Sequence, residues 1–207
     1  MTPRLARKAL FHALGALLAR IPGAALYALA SVATVAALTH LVVVLLIPEF
    51  AEKDAFSRVS TLGAVNDTAL LPAADSGERQ FPFLDPAFAG AICRYDLSNG
   101  PLRVTLPLGR PGFVSLSFHS RRGVTFFALT DRAATQGKLE AIVVTPAELR
   151  VLEAHDDEEN PSQDLRILSP TTEGFALARA LAELPGLAPD AAAQALSLSC
   201  KTEALPE

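Results

Sequence analysis

Few side chains in this sequence could do covalent or metal chemistry: two cysteines, Cys93 and Cys200, and four histidines in 207 residues. A hydrolase built on a nucleophile needs an activated Ser or Cys beside a His. No G-x-S-x-G occurs, and neither His119 nor His155 has motif neighbours. His119 falls in a strand-like run, opposite in phase to Val114, Leu116 and Phe118, which predicts a solvent-facing or hydrogen-bonded imidazole. A zinc centre needs three or four clustered ligands, and two distant cysteines with scattered histidines do not supply them. The run Asp156-Asp157-Glu158-Glu159 lacks the alternating ligands and the glycine of a calcium loop, so it reads as a solvated charge run. No glycine-rich phosphate loop is present. Arg121, Arg122, Asp131 and Arg132 surround one predicted hairpin and form a possible anion or partner patch, although turns also carry charge for solubility. No catalytic residue, metal or cofactor is expected from these patterns.

The elements that would position these residues divide sharply by charge. Residues 1–48 carry Arg4, Arg7, Lys8 and Arg20 and no acid, whereas residues 49–207 hold the other 14 basic residues and all 22 acidic ones, a net of −8. An acidic domain gives no support for nucleic-acid binding, which needs a basic face. Ala24 to Ile47 is a run of 24 residues without a formal charge. About 20 apolar residues cross a bilayer as a helix, so this run predicts a transmembrane span with some tilt. A cleaved signal peptide would have a shorter apolar core and a small-x-small site. Here the run is long and exits through Pro48-Glu49-Phe50, so an uncleaved anchor is expected. Basic residues before the span and acids after it place the N-terminus in the cytoplasm and the domain outside, on the positive-inside rule.

Within residues 1–23, Arg4, Lys8, His12 and Arg20 recur at multiples of four. That spacing suits either an amphipathic helix on an anionic leaflet or a plain topogenic flank. Inside the span, Ala24/Ala28 and Ala33/Ala37 are small-xxx-small pairs that would let another helix approach. His40 lies in its outer third, where a neutral imidazole costs little.

Residues 48–207 read as one extracytoplasmic domain. Phe56, Val59 and Leu62 predict a short helix over 51–62, stopped at Gly63. Cys93, Tyr95 and Leu97 alternate with polar residues, as do Leu102, Val104, Leu106 and Leu108, and Asn99-Gly100 lies between. This pattern predicts a β-hairpin with a tight turn. Further strands are expected over 113–119, 124–129, 139–144 (an interior strand, ended by Pro146) and 165–168. Thr171 or Thr172 would cap a helix running to Leu184, with Leu177, Leu181 and Leu184 on its apolar face. Leu196, Leu198 and Cys200 alternate as a last strand. The fold class is therefore α+β, an antiparallel sheet flanked by helices behind a single transmembrane helix. Both cysteines lie outside the membrane on the apolar phase of their strands. Exported thiols usually pair, which predicts a Cys93–Cys200 disulfide.

At Asn66-Asp67-Thr68, the "YDLSNGPL" core of residues 95–102, "FVSLSF" and "RRGVTFFALTDRAA", the sequence resembles a proteobacterial family of membrane-anchored proteins defined only as a domain of unknown function, DUF1254. Larger secreted relatives place a similar hairpin ahead of a second domain. The resemblance implies an exported β-rich domain, often beside a larger partner, and carries no catalytic residues. Three functions stand open: an interaction module or accessory subunit for an envelope protein, a binder of a small amphiphile in the sheet's concave face, and an enzyme of unrecognised type.

Overall fold

The computed structural model describes residues 22–50, 55–74, 76–77, 81, 84–109, 112–156 and 162–206. The chain divides into two units, Met1–Glu52 and Lys53–Glu207. The predicted basic segment before residue 22 lies outside the described residues. The first unit contains helix α1, Gly23–Phe50. Its stretch Gly23–Ile47 is 25 residues, long and apolar enough to cross a membrane, and no part of its most apolar window is buried. Tyr27 is 80% exposed and Leu45 69%. A helix that is apolar all round is buried in protein or in lipid.

The second unit is a two-layer sandwich. Its helices are α2 (Ala55–Val59), α3 (Pro146–Ala154) and α4 (Ala188–Leu196). Its strands in chain order are β1 (Thr68–Leu70), β2 (Phe88–Asp96), β3 (Leu102–Pro107), β4 (Val114–Ser120), β5 (Thr125–Thr130), β6 (Lys138–Val144), β7 (Arg166–Leu168), β8 (Glu173–Leu181) and β9 (Ser199–Thr202). One sheet runs β1-β2-β8-β4-β5, antiparallel throughout. The other runs β7-β6-β3-β9, with only the β6–β7 pair parallel. Cys93, Tyr95, Leu116, Phe118 and Ala178 of the first sheet share one core with Leu102, Val104, Leu106, Leu139 and Val143 of the second. The fold class is α+β, as the sequence pattern predicts.

Three local expectations are corrected. The "hairpin" around Asn99-Gly100 is not one: β2 and β3 belong to different sheets. Asp96 caps a 3-10 turn at Leu97–Asn99, accepting from the Ser98 amide at 2.9 Å. Gly100 takes a φ of 124°, with the Glu203 carbonyl where a Cβ would stand. Alternation requires only that both strands turn an apolar face to the core, and facing sheets satisfy that as well as pairing does. Second, the predicted helix over 171–184 is strand β8. Leu177 and Leu181 carry helical spacing, but Ala176, Ala178 and Ala180 point inward at period two, and β8 is clamped between β2 and β4. Packing overrides the helix preference of alanine. Third, Leu196 ends α4, and the last strand begins only at Ser199. The helix expected over 51–62 is described only over Ala55–Val59. α3, which no expectation anticipated, opens with a capping box in which Thr145 and Glu148 satisfy each other's backbone amides.

The predicted disulfide is present. Cys93 on β2 and Cys200 on β9 bind with Cα atoms 6.6 Å apart, tying one sheet to the other across 107 residues of sequence. In the chain-entropy account, closing a loop of that size stabilises by about 4–5 kcal/mol.

On its outer face the first sheet carries a second, smaller cluster, where Val59 from α2 covers Ile92 and Phe175. Arg94 and Arg121 both lie over the Phe56 ring, at 5.0 and 5.6 Å. The His119 ring stacks on Phe175 at 4.8 Å. Burial lowers the His119 pKa below its usual 6.5, against a weaker raising contribution from the Gly123 carbonyl.

Two outcomes follow from this packing. A Cβ at Gly174 would occupy the positions of the His119 carbonyl and the Tyr95 hydroxyl. Gly174→Ala should therefore cost about 1–3 kcal/mol, measured by denaturant unfolding. The depressed His119 pKa means that the unfolded chain binds the proton more readily. This group's contribution is full above pH 6.5 and declines as the pH falls from there toward the lowered native value. Comparing unfolding at about pH 7.5 and about pH 5.5, His119→Gln should show a shallower loss of stability than the wild type.

Candidate functional site

A cleft of about 430 Å³ lies at one end of the sandwich, where the β3–β4 connection, the end of β8 and α4 meet. Short residues create it: Gly109, Ala180, Ala191 and Ala193 leave room that larger side chains would fill. Gln194 holds the two walls together. Its Nε2 donates to the Pro107 carbonyl at 2.6 Å, and its Oε1 accepts from the Gly109 amide at 2.9 Å. The floor is aliphatic, and the charged residues on its described lining are Glu183 and Asp190. Phe113 and Leu187 in the lining are 42% and 40% exposed, and Leu184 and Leu196 beside it in sequence 63% and 48%. The cleft can therefore take an apolar group.

A second arrangement superficially resembles a nucleophile–base pair. Ser117 Oγ lies 2.9 Å from His119 Nε2, and His119 Nδ1 is 3.3 Å from the Gly123 carbonyl and 3.2 Å from Thr125 Oγ1. The two residues are i and i+2 on one face of β4, a proximity that period-two alternation imposes. Ser117 Oγ also donates to the Leu177 carbonyl at 3.4 Å. Neither residue lines a described cleft. The expected hydrogen-bonded imidazole is what the structure shows, and the pair reads as part of the sheet surface.

The four-residue charged patch is split. Arg121 and Arg122 lie in the turn before β5, and Asp131 and Arg132 in the 3-10 turn after it. A six-residue strand separates the two ends by about 17–20 Å. Arg121 is paired with Glu173. Asp156, from the acidic run, is held by Arg166 through two contacts of 2.6 Å, which keep its carboxyl below the usual range; Asp157, Glu158 and Glu159 lie outside the described residues. No three His, Cys, Asp or Glu side chains converge among the described residues. Ala24, Ala28, Ala33 and Ala37 all lie on α1, where the sequence placed them.

The motif residues serve the fold. Tyr95 is buried, with its hydroxyl 3.3 Å from Ser169 Oγ, and burial pushes its pKa up to about 12. Asn66 takes a left-handed conformation (φ 67°) and donates from Nδ2 to Thr202 Oγ1 at 3.0 Å. Thr68 Oγ1 donates to the Leu198 carbonyl at 2.8 Å. The motif thus stitches β1 to the C-terminal segment. The cleft itself went unread in the sequence, because its walls come from three separate segments and consist of ordinary small residues.

Known proteins add a fold and a family. The crystal structure of the VPA0106 protein from Vibrio parahaemolyticus is similar at a TM-score of 0.50 and 12% identity, covering 73% of this chain and 35% of that one. This chain thus spans about a third of that protein's length. An uncharacterised protein from Burkholderia cenocepacia matches at a TM-score of 0.39 and 12% identity, over 69% of this chain and 46% of its own. No curated protein matches the sequence. The family model described as "Protein of unknown function (DUF1254)" matches residues 65–201, from the Asn66 turn through the Cys200 strand, and the chain belongs to that family.

Proposed function

We propose that this protein is an interaction module anchored in the cytoplasmic membrane, with its N-terminus inside and its domain in the periplasm, serving as an accessory subunit for an envelope protein. The uncovered apolar helix supports the anchor, since such a helix needs lipid or protein around it. The charge difference across it supports the orientation. A disulfide between the only two cysteines suits an oxidising compartment.

One observation carries the interaction reading: the cleft keeps an aliphatic floor in contact with water, with Phe113 and Leu187 in its lining and Glu183 and Asp190 charged. An apolar floor of this kind suits a partner segment that brings an apolar side chain. A second reading has a specific basis. The cleft volume of about 430 Å³ falls in the range of small-molecule sites, so a small amphiphile is the alternative occupant. The two inner sheet faces are packed together, so an amphiphile would enter this cleft and not a concave sheet face.

Two measurements test the proposal. An alkaline phosphatase fusion at residue 60 should be active; an inactive fusion, with a cytoplasmic reporter active there instead, refutes the orientation. The full-length protein purified in mild detergent should carry a stoichiometric protein partner, and Ala193→Trp, which fills the cleft, should reduce recovery of that partner at least about tenfold. Co-purified amphiphile with no protein would favour the alternative, and recovery unchanged by Ala193→Trp would remove the cleft from either role.

A further inference from the structure

The outer face of the first sheet holds a second cavity, of about 270 Å³, over β2 and β8. Leu71, Leu84, Phe88 and Leu177 give it apolar walls, and Asp85 and Arg179 bring the charges of its described lining. Arg179 alternates with the core residues Ala178 and Ala180, so it stands on the outer face of β8. Across the strands it is paired with Gly90 on β2 and Ser115 on β4, neither of which carries a charge. The Arg179 guanidinium lies over the Phe88 ring, 4.4 Å from its centroid. Arg103, Arg121 and Arg166 each hold a carboxylate, and Arg94 holds a carbonyl. Among the described residues Arg179 has no such acceptor.

Asp85 lines the same cavity from the segment that leads into β2. Its Oδ1 accepts from the Ala87 amide at 2.9 Å, and its backbone carbonyl accepts from the Phe88 amide at 3.1 Å. The turn before β2 therefore fixes the carboxylate, and Oδ2 has no partner among the described residues. Two opposite charges thus share one small, apolar-walled space without forming an ion pair with each other.

We infer that this cavity binds a small apolar α-amino acid, with its carboxylate on Arg179, its ammonium on Asp85 and its side chain against Leu71, Leu84 and Leu177. Stacking on Phe88 engages the flat face of the guanidinium and leaves its N–H edge, which matches the two oxygens of a carboxylate. A ligand with a negative charge alone would also meet Asp85, and one with a positive charge alone would also meet Arg179. An uncharged ligand would cover both groups and pair neither, at a desolvation cost. A zwitterion satisfies both, and the leucines and Phe88 select an apolar side chain over a polar one. Sites for drug-sized ligands run from about 300 to 1,000 Å³, so a cavity of about 270 Å³ suits a smaller molecule. It shares no described lining residue with the cleft beside α4, and the two proposals stand or fall separately.

The test is calorimetric titration of the full-length protein in mild detergent with L-leucine, isocaproate (leucine without its ammonium) and isoamylamine (leucine without its carboxylate). L-Leucine should bind one to one, and each of the other two at least about tenfold more weakly, because each leaves one charge of the cavity unpaired. Arg179→Gln should abolish leucine binding. Arg179→Lys, which keeps the charge and loses the fork, should weaken it, and this variant carries the test should Arg179→Gln fail to fold. Asp85→Asn keeps the acceptor for the Ala87 amide. It should weaken leucine several-fold while leaving isocaproate unchanged or tighter. No binding of L-leucine at millimolar concentration, isocaproate binding as tightly as leucine, or leucine binding indifferent to both Arg179 variants would each overturn the site.

Discussion

The domain depends on one crossing, where β2 leaves the first sheet and β3 enters the second within a few residues. A chain that changes sheets must turn sharply while keeping both flanking strands aimed at one core. Asp96 caps the turn through the Ser98 amide and hydroxyl, at 2.9 and 2.6 Å. Gly100 supplies a backbone angle that side chains rarely adopt, in a place where the Glu203 carbonyl admits no Cβ. Pro101 is fully buried. Just before the turn, Tyr95 lies over Gly174, and two residues earlier Cys93 is bonded to Cys200. The crossing thus fixes the distance and the angle between the sheets, and each other strand adds to a frame already set.

Strand β1 and the C-terminal segment are fastened to that frame by polar contacts. Asn66 and Thr68 reach Thr202 and Leu198, so the first strand and the last segment hold each other. On the outer face of the second sheet, Arg103 contacts Asp164 at 3.1 Å and Glu140 at 3.4 Å, and also bonds Glu203. Lys138 approaches Glu140 at 2.5 Å from the other side. A single exposed ion pair contributes at most about 1 kcal/mol. A cation that bridges three separate segments does more to fix their register than to add stability. The Asp164 hydrogen bond, then Glu203, holds the Arg103 guanidinium well above its ordinary pKa.

What could be read from the sequence was whatever is encoded along a single stretch of chain. The apolar helix is a continuous run. The disulfide required only two cysteines of matching phase, each on the apolar side of its strand. β4, β5 and β6 appeared because their alternation survives in context. Pairing partners were not legible. Tyr95 and Leu102 alternate correctly whether β2 and β3 pair or face each other. Leu177 and Leu181 have helical spacing, yet Ala176, Ala178 and Ala180 fit between β2 and β4 because they are small enough to lie under the second sheet. The Thr145–Glu148 capping box is visible as Thr-Pro-Ala-Glu, but a proline that ends one strand can equally open a helix, and Pro146 does both. The cleft had no signal at all, since glycine and alanine declare nothing until three segments converge.

A consistent division of labour emerges from these residues. The side chains with chemical capability are engaged in structure: Tyr95 with Ser169, His119 with Ser117 and Phe175, Arg94 with Phe56 and the Gly63 carbonyl, and both cysteines with each other. The inner faces of both sheets are filled by the shared core. Among the described residues of this unit, what remains accessible includes the apolar cleft at one end of the sandwich. The cleft is apolar surface left in contact with solvent, which a monomer gains nothing by exposing. Around that closed core the cleft keeps apolar side chains at the surface, and the proposed interaction module rests on that contrast.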